Sequence, residues 1–131
     1  MNDPVLTLRW FLNCPEIDNL EFFGDEDCLG NPITGVNVID NPEGVPWIKK
    51  NELVLTTGFI FYKDIALTKK LLKELHYVSC TALCIKIKRL YDTIPQFLRE
   101  EAARYRLPLI AVPLYHSYSD IIRVIFRELE L

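Results

Sequence analysis

The polar groups whose types and spacing could do chemistry fall in short clusters, each following an apolar run. They are Asp40-Asn41-Pro42, Thr56-Thr57-Gly58, Lys86 with Lys88 and Arg89, and Pro113 to Tyr115. Asp40 supplies a carboxylate, Thr56 and Thr57 supply hydroxyls, and Gly58 lets the backbone turn or approach a ligand closely. Lys86 or Arg89 could pair with an anionic metabolite, while Trp47 or Tyr115 could stack on a flat ring. These residues make one site only if their strands are parallel neighbours, because ligands in open α/β sheets gather where the strands end. A plainer reading of the same residues is that the threonines, the glycine and Asp40 terminate strands and cap turns. A lone aromatic such as Trp47 on a helical turn is expected to bury its ring against the sheet and serve as a core plug.

Other chemistries lack their residue sets. No glycine-rich run ends in Gly-Lys-Ser or Gly-Lys-Thr, and no Gly-x-Gly-x-x-Gly occurs, which disfavours nucleotide hydrolysis. The two histidines, His76 and His116, have no cysteine or serine beside them in a recognisable nucleophile setting. His76 is expected at the surface of a helix end and His116 in a loop. Cys80 and Cys84 are separated by about 13 Å if the segment is a strand, too far to share a metal, though a helix would bring them together. No metal site, cofactor or catalytic residue is therefore expected. Cys14, Cys28, Cys80 and Cys84 are widely spread, and a reducing compartment would keep them as thiols.

The elements that must position these groups can be read from periodicity. Thr7 caps a brief helix that Cys14-Pro15 ends, and Leu20 to Phe23 reads as a first strand. Val36 to Ile39 is a second, β-branched strand, closed by the loop from Asp40 to Gly44. Trp47 to Asn51 reads as one helical turn, with Asn51 suited to the left-handed conformation. Leu53-Val54-Leu55 is an apolar run too short for a buried helix, so it is placed as a strand at the sheet centre.

Asp64 is a natural N-cap for an amphipathic helix with Ile65, Leu71, Leu72, Leu75 and Val78 on its apolar face. Ala82 to Ile85 returns as a buried strand, and Thr93 and Pro95 start a helix lined by Ile94, Phe97, Leu98, Ala102 and Tyr105. Leu107 to Val112 is a further strand that Pro113 stops. Ser117 with Asp120 resembles a capping box and opens the last helix. Strands alternating with helices imply right-handed crossovers and a mainly parallel sheet between helix layers, a three-layer α/β/α fold.

Bulk properties agree with that fold. The 131 residues suit one domain, and the 50% hydrophobic content suits one buried core. A net charge of −3 argues against a nucleic-acid surface, since duplex binding draws on clustered cations. The Lys86, Lys88 and Arg89 cluster is small enough to be a solvated strand end. No stretch nears the roughly 20 apolar residues of a membrane span. The start, Met1-Asn2-Asp3-Pro4, lacks signal-peptide character, so a cytoplasmic location is expected.

One series of these features is familiar. Val36-Asn37-Val38-Ile39-Asp40, Asn41-Pro42, Trp47-Ile48 and Glu52-Leu53-Val54-Leu55-Thr56-Thr57-Gly58 together resemble the N-terminal domain of PucR-type (purine catabolism regulatory protein-like) bacterial transcription regulators. Ala82 to Ile87, Ile94-Pro95, Leu107 to Pro113 and a closing helix with Tyr118, Asp120 and Ile121 follow in the family's order. Asn51 and Cys84 depart from it, standing where that family usually has glycine. The resemblance implies a regulatory module with a fold similar to the N-terminal domains of HPr kinase and the Mur ligases. It also implies a DNA-binding helix-turn-helix in a C-terminal part outside residues 1–131, since this chain ends inside a helix. Fold likeness carries no activity with it.

Two functions fit. The first is a signal-input domain that senses a small catabolic metabolite, mediates homodimerisation, or does both. The second is a small α/β enzyme or enzyme subunit acting on an anionic metabolite, which the missing nucleophile, metal and phosphate motifs disfavour. On the last helix Val124 and Phe126 fall off the main stripe of Ile121, Ile122, Ile125 and Leu129, and this excess suggests a partner surface formed by Ile122, Val124 and Phe126, although it could simply fill a wide groove.

Overall fold

A computed structural model describes residues 6–61, 64–87 and 93–129. Its sheet has five strands, β1 (Glu21–Phe23), β2 (Gly35–Val38), β3 (Glu52–Thr56), β4 (Ala82–Ile87) and β5 (Leu109–Pro113), in the order β1-β5-β4-β3-β2. Strands β2 to β5 are mutually parallel, and β1 runs antiparallel on the β5 edge. Among the described residues four α-helices complete the fold: α1 (Leu8–Leu12), α2 (Ile65–Tyr77), α3 (Gln96–Arg104) and α4 (Tyr118–Leu129). Three 3-10 turns, Glu26–Gly30, Pro42–Trp47 and Phe59–Phe61, fill the connections.

The apolar runs that looked continuous in sequence divide by the period of two that sends successive side chains to opposite faces. Val54, Leu83, Ile85, Leu109 and Ala111 face one core together with Leu71, Leu72 and Leu75 of α2 and Leu98 and Ala102 of α3. Leu53, Leu55, Ala82, Cys84, Ile110 and Val112 face the other core, with Leu8 and Phe11 of α1 and Ile121, Val124 and Ile125 of α4. Two cores on the two faces of one sheet make the expected three-layer α/β/α arrangement.

The starts of α1, α2 and α4 follow their capping residues, whereas α3 begins after Pro95 with no side-chain cap. Thr7 accepts from the Trp10 amide at 3.4 Å and Asp64 from the Leu67 amide at 3.2 Å. Ser117 and Asp120 exchange reciprocal bonds at 3.1 and 3.3 Å, the capping box that opens α4. Three parallel strands are entered through a left-handed residue: Asn51 (φ 66°) before β3, Ser79 (φ 59°) before β4 and Arg106 (φ 54°) before β5. Asn51 thus fills its glycine-like position because asparagine tolerates that conformation.

Several placements differ from the sequence reading. The centre of the sheet is β4, while Leu53-Val54-Leu55 lies one strand in from the β2 edge and is still buried on both faces. The helical turn expected at Trp47 to Asn51 lies earlier, at Pro42–Trp47, because Asn41 caps it by accepting from the Glu43 amide and Pro42 presets its first φ. Trp47 is no core plug: it ends that turn with 77% of its surface exposed, and the core below is filled by Val45 and Ile48. Ile65 and Phe97 are likewise exposed, each in the first turn of its helix.

In α4 the buried stripe is Ile121, Val124 and Ile125, spaced at i, i+3 and i+4. Val124 therefore belongs to the core and not to a partner surface. Phe126 remains exposed, and Ile122 is half-buried at the margin.

Candidate functional site

The parallel strands end at one edge, and the first polar group there is Asp40, two residues past β2. Its Oδ1 accepts from the Thr57 amide and the Thr57 hydroxyl, both at 3.2 Å, and from the Tyr118 hydroxyl at 3.4 Å. Thr57 follows the last residue of β3, and Tyr118 is the first residue of α4. One carboxylate thus joins the ends of two strands to the start of the last helix.

Neighbouring groups fix the turn and set its charge. Thr56 is fully buried, and its hydroxyl accepts from the Gly58 amide at 3.1 Å. Gly58 has φ 83°, a conformation that needs glycine there. The Lys86 ammonium, near the end of β4, sits 4.9 Å from the centre of the Tyr118 ring. Burial, and then the negative charge and hydrogen bonding of Asp40, push the Tyr118 phenol well above its ordinary value, so at neutral pH it is a donor.

A second network occupies the same edge beyond β5. The Tyr115 hydroxyl donates to Asp18 Oδ1 at 2.8 Å and accepts from Asn19 Nδ2 at 2.7 Å. His116 is buried, with Nε2 at 2.9 Å from the Asp18 carbonyl oxygen and 3.0 Å from its carboxylate. Donation from Tyr115, followed by the charge and hydrogen bond of His116, holds the Asp18 carboxyl below the usual range. Because β1 is antiparallel, the segment before it lies at the carboxyl end of β5, and Asp18 pins the β5–α4 loop there.

The structure therefore brings Asp40 and Lys86 to Tyr118, with Thr57 bonded to Asp40, while Thr56 and Gly58 form the turn beside them. Tyr115 belongs to the separate network with Asp18. Trp47 stands apart from both: its carbonyl accepts from Asn37 in the middle of β2, and its ring projects to solvent. Arg89 and Lys88 lie outside the described residues. Tyr118, Asp18 and His116 were not singled out as site residues from sequence. Tyr118 reads there as a first-turn residue, and no local pattern relates Asp18 to a histidine almost a hundred positions later.

The four cysteines are free and buried. Burial pushes the Cys80 thiol up to about 12 and the Cys84 thiol higher still, so neither is a nucleophile at neutral pH. Cys84 fills the core between β4 and the layer of α1 and α4, which removes it from any binding role. Among the described residues no group of three His, Cys, Asp or Glu is placed to hold a metal ion, and no helix is long and apolar enough to cross a membrane.

The fold and this edge define the chain as a three-layer α/β domain whose polar groups collect at the ends of parallel strands. Residues 10–129 match the purine catabolism regulatory protein-like family, and the chain belongs to it. It is similar to the purine catabolism regulatory protein of Bacillus subtilis (strain 168), with 27% identity over 111 residues. That alignment covers 85% of this chain and 21% of the relative, so the chain spans about a fifth of the curated protein it matches.

Among solved structures it is similar to the regulatory region of Clostridium perfringens pyrophosphatase, made of CBS and DRTGG domains and complexed with the activator diadenosine tetraphosphate. The TM-score is 0.58 at 18% identity, covering 95% of this chain and 50% of that one. At that identity the likeness is one of fold.

Proposed function

We propose that this chain is the signal-input domain of a bacterial transcription regulator, reading a small anionic catabolic metabolite at the carboxyl edge of its sheet. The observation that carries the reading is the Asp40 carboxylate, which binds both Thr57 at the end of β3 and Tyr118 at the start of α4. A ligand that engages Thr57, or pairs with Lys86 beside Tyr118, competes with those bonds. Its binding energy then biases the position of α4, the last described element. Family membership supports a regulatory role over an enzymatic one. DNA contact, on this reading, belongs to another part of the protein, and the whole acts in the cytoplasm.

Homodimerisation is part of the same proposal. Phe126 is 44% exposed and Ile122 half-buried beside it, an apolar margin on the helix that would relay the signal. Phe126→Glu should shift a dimer towards monomer without unfolding the domain, and an unchanged mass in solution would remove α4 from the interface.

A thermal-shift screen against catabolic metabolites, purine degradation products included, tests the sensor reading, because a ligand selective for the folded state raises its apparent stability. The expected result is a saturable rise for one chemical class, lost in Thr57→Val and Lys86→Gln while their unliganded midpoints stay near the parent value. No rise for any class, in a sample shown to be dimeric, would replace the sensor with an assembly module.

A further inference from the structure

The amino edge of the sheet carries a cleft of about 220 Å³ between β1 and α3. We infer that it is a binding site, separate from the one proposed above, for a molecule with a single flat ring and one carboxylate. Arg99 of α3 is the group that points to this chemistry. Its Nε donates to the Ile94 carbonyl at 3.0 Å, and its guanidinium lies 5.1 Å from the centre of the Phe23 ring. Those two contacts fix the plane of the fork. Among the described residues no carboxylate lies within ion-pair distance of Arg99 and none accepts from its terminal N–H groups, the pair that a ligand's acceptors would meet. A fixed guanidinium is matched best by a planar pair of oxygens bound side by side.

The opposite wall limits the ligand's charge. Arg106 is already held by two carboxylates, Asp25 at 2.9 Å and Asp27 at 3.6 Å, so that wall offers a ligand no net positive charge. Asp25 itself lines the cleft and repels a second negative group. One guanidinium facing a wall whose carboxylates outnumber its cation leaves room for a single negative group and disfavours a dianion or polyphosphate.

Size and shape set the rest. Phe23, Ala103 and Leu107 supply apolar walls, and the volume lies below the roughly 300 to 1,000 Å³ of sites that take drug-sized ligands. The cleft suits one ring. Its backbone is also constrained: Arg106 is left-handed, and a Cβ on Gly24 would come within 2.9 Å of the Phe22 ring and 3.3 Å of the Pro108 Cα. Constrained walls need little reordering when a ligand enters.

Benzoate is the probe, titrated into the isotope-labelled domain and followed by amide NMR, with benzyl alcohol as the neutral ring and phthalate as the dianion. The expected result is saturable shifts at Gly24, Ala103 and Leu107, with the carboxyl-edge amides of Thr57 and Tyr118 unmoved. Arg99→Gln should weaken binding at least about tenfold, the worth of one charge-assisted paired contact. Ala103→Leu, a substitution that suits a helix, should close the cleft and act likewise if Arg99→Gln folds poorly. Benzyl alcohol binding as well as benzoate, or benzoate binding unchanged in both variants, would overturn the proposal, as would phthalate binding more tightly. Failure here leaves the carboxyl-edge reading untouched, because the two sites lie at opposite ends of the strands.

Discussion

The two ends of the parallel strands are built by different means. At the amino edge, entry into β3, β4 and β5 is made by left-handed residues and backbone bonds, such as Asn51 N–H to the Ser79 carbonyl at 3.0 Å and Thr81 N–H to the Glu52 carbonyl at 2.8 Å, and the side chains there mostly reinforce that closure, as when the Asn31 amide donates to the Thr81 carbonyl at 3.2 Å. At the carboxyl edge side chains join the loops, with Asp40 tying the end of β2 to the first residue of α4 and Asp18 tying the segment before β1 to the β5–α4 loop. Backbone closure fixes geometry and leaves little to adjust. Carboxylates shared among hydroxyls, an amide and an imidazole can exchange one partner for another, which is what a site that transmits binding requires.

The largest expected effect that sharpens this contrast is at Gly58. Gly58→Val forces a β-branched residue into the left-handed region at a buried position and should cost about 1 to 3 kcal/mol, read as a lower urea midpoint. Removing the α4 cap with Ser117→Ala should cost about 1 kcal/mol by the same measurement. At the amino edge, Ser79→Gly should do the reverse and stabilise by less than about 1 kcal/mol, since glycine accepts φ 59° without strain. A loss of stability there would mean that the Ser79 side chain matters more than its backbone.

A smaller effect is expected from acid. The folded-state pKa of Asp18 is depressed, so its contribution is fully present above the ordinary aspartate value near ~4 and is lost as pH falls through the lower folded value. Asp18→Asn should flatten this part of the acid limb, seen as a smaller drop in melting temperature between neutral and acidic buffer than the parent shows. Equal drops in the two proteins would place the acid sensitivity in other carboxylates, such as Glu16 or Asp120, which are also depressed.

Much of the fold was legible in the sequence because local rules agree with the global arrangement. Asp64 and Ser117 cap the helices they were expected to start, Pro113 ends β5, and Asn51 takes the left-handed turn. The apolar runs of β3 and β5 could show burial but not which face each residue serves, since a run buried on both sides has no visible alternation. Trp47 was misplaced because aromatic content says nothing about direction, and Val45 and Ile48 take the buried positions on either side of it.

At the carboxyl edge, the strand-end rule gave the placement of Asp40, Thr56, Thr57, Gly58 and Lys86, because that placement follows from parallel topology alone. The partners that convert them into a network, Tyr118 above all, depend on how α4 returns across the edge. Long-range hydrogen bonds such as Tyr118 to Asp40, or His116 to Asp18, leave no periodic trace in one chain.

Amide hydrogen exchange at the start of α4 tests the coupling most directly, comparing the parent domain with Asp40→Ala and Tyr118→Phe. Loss of the Tyr118 to Asp40 bond should speed exchange at the Ile121 amide, which bonds the Ser117 carbonyl at 3.3 Å, by about fivefold for roughly 1 kcal/mol. The Asn51 and Thr81 amides at the other edge should keep their rates. Unchanged exchange at Ile121 in both variants would mean that the carboxyl edge does not hold the helix, and the proposed route from ligand to α4 would fail.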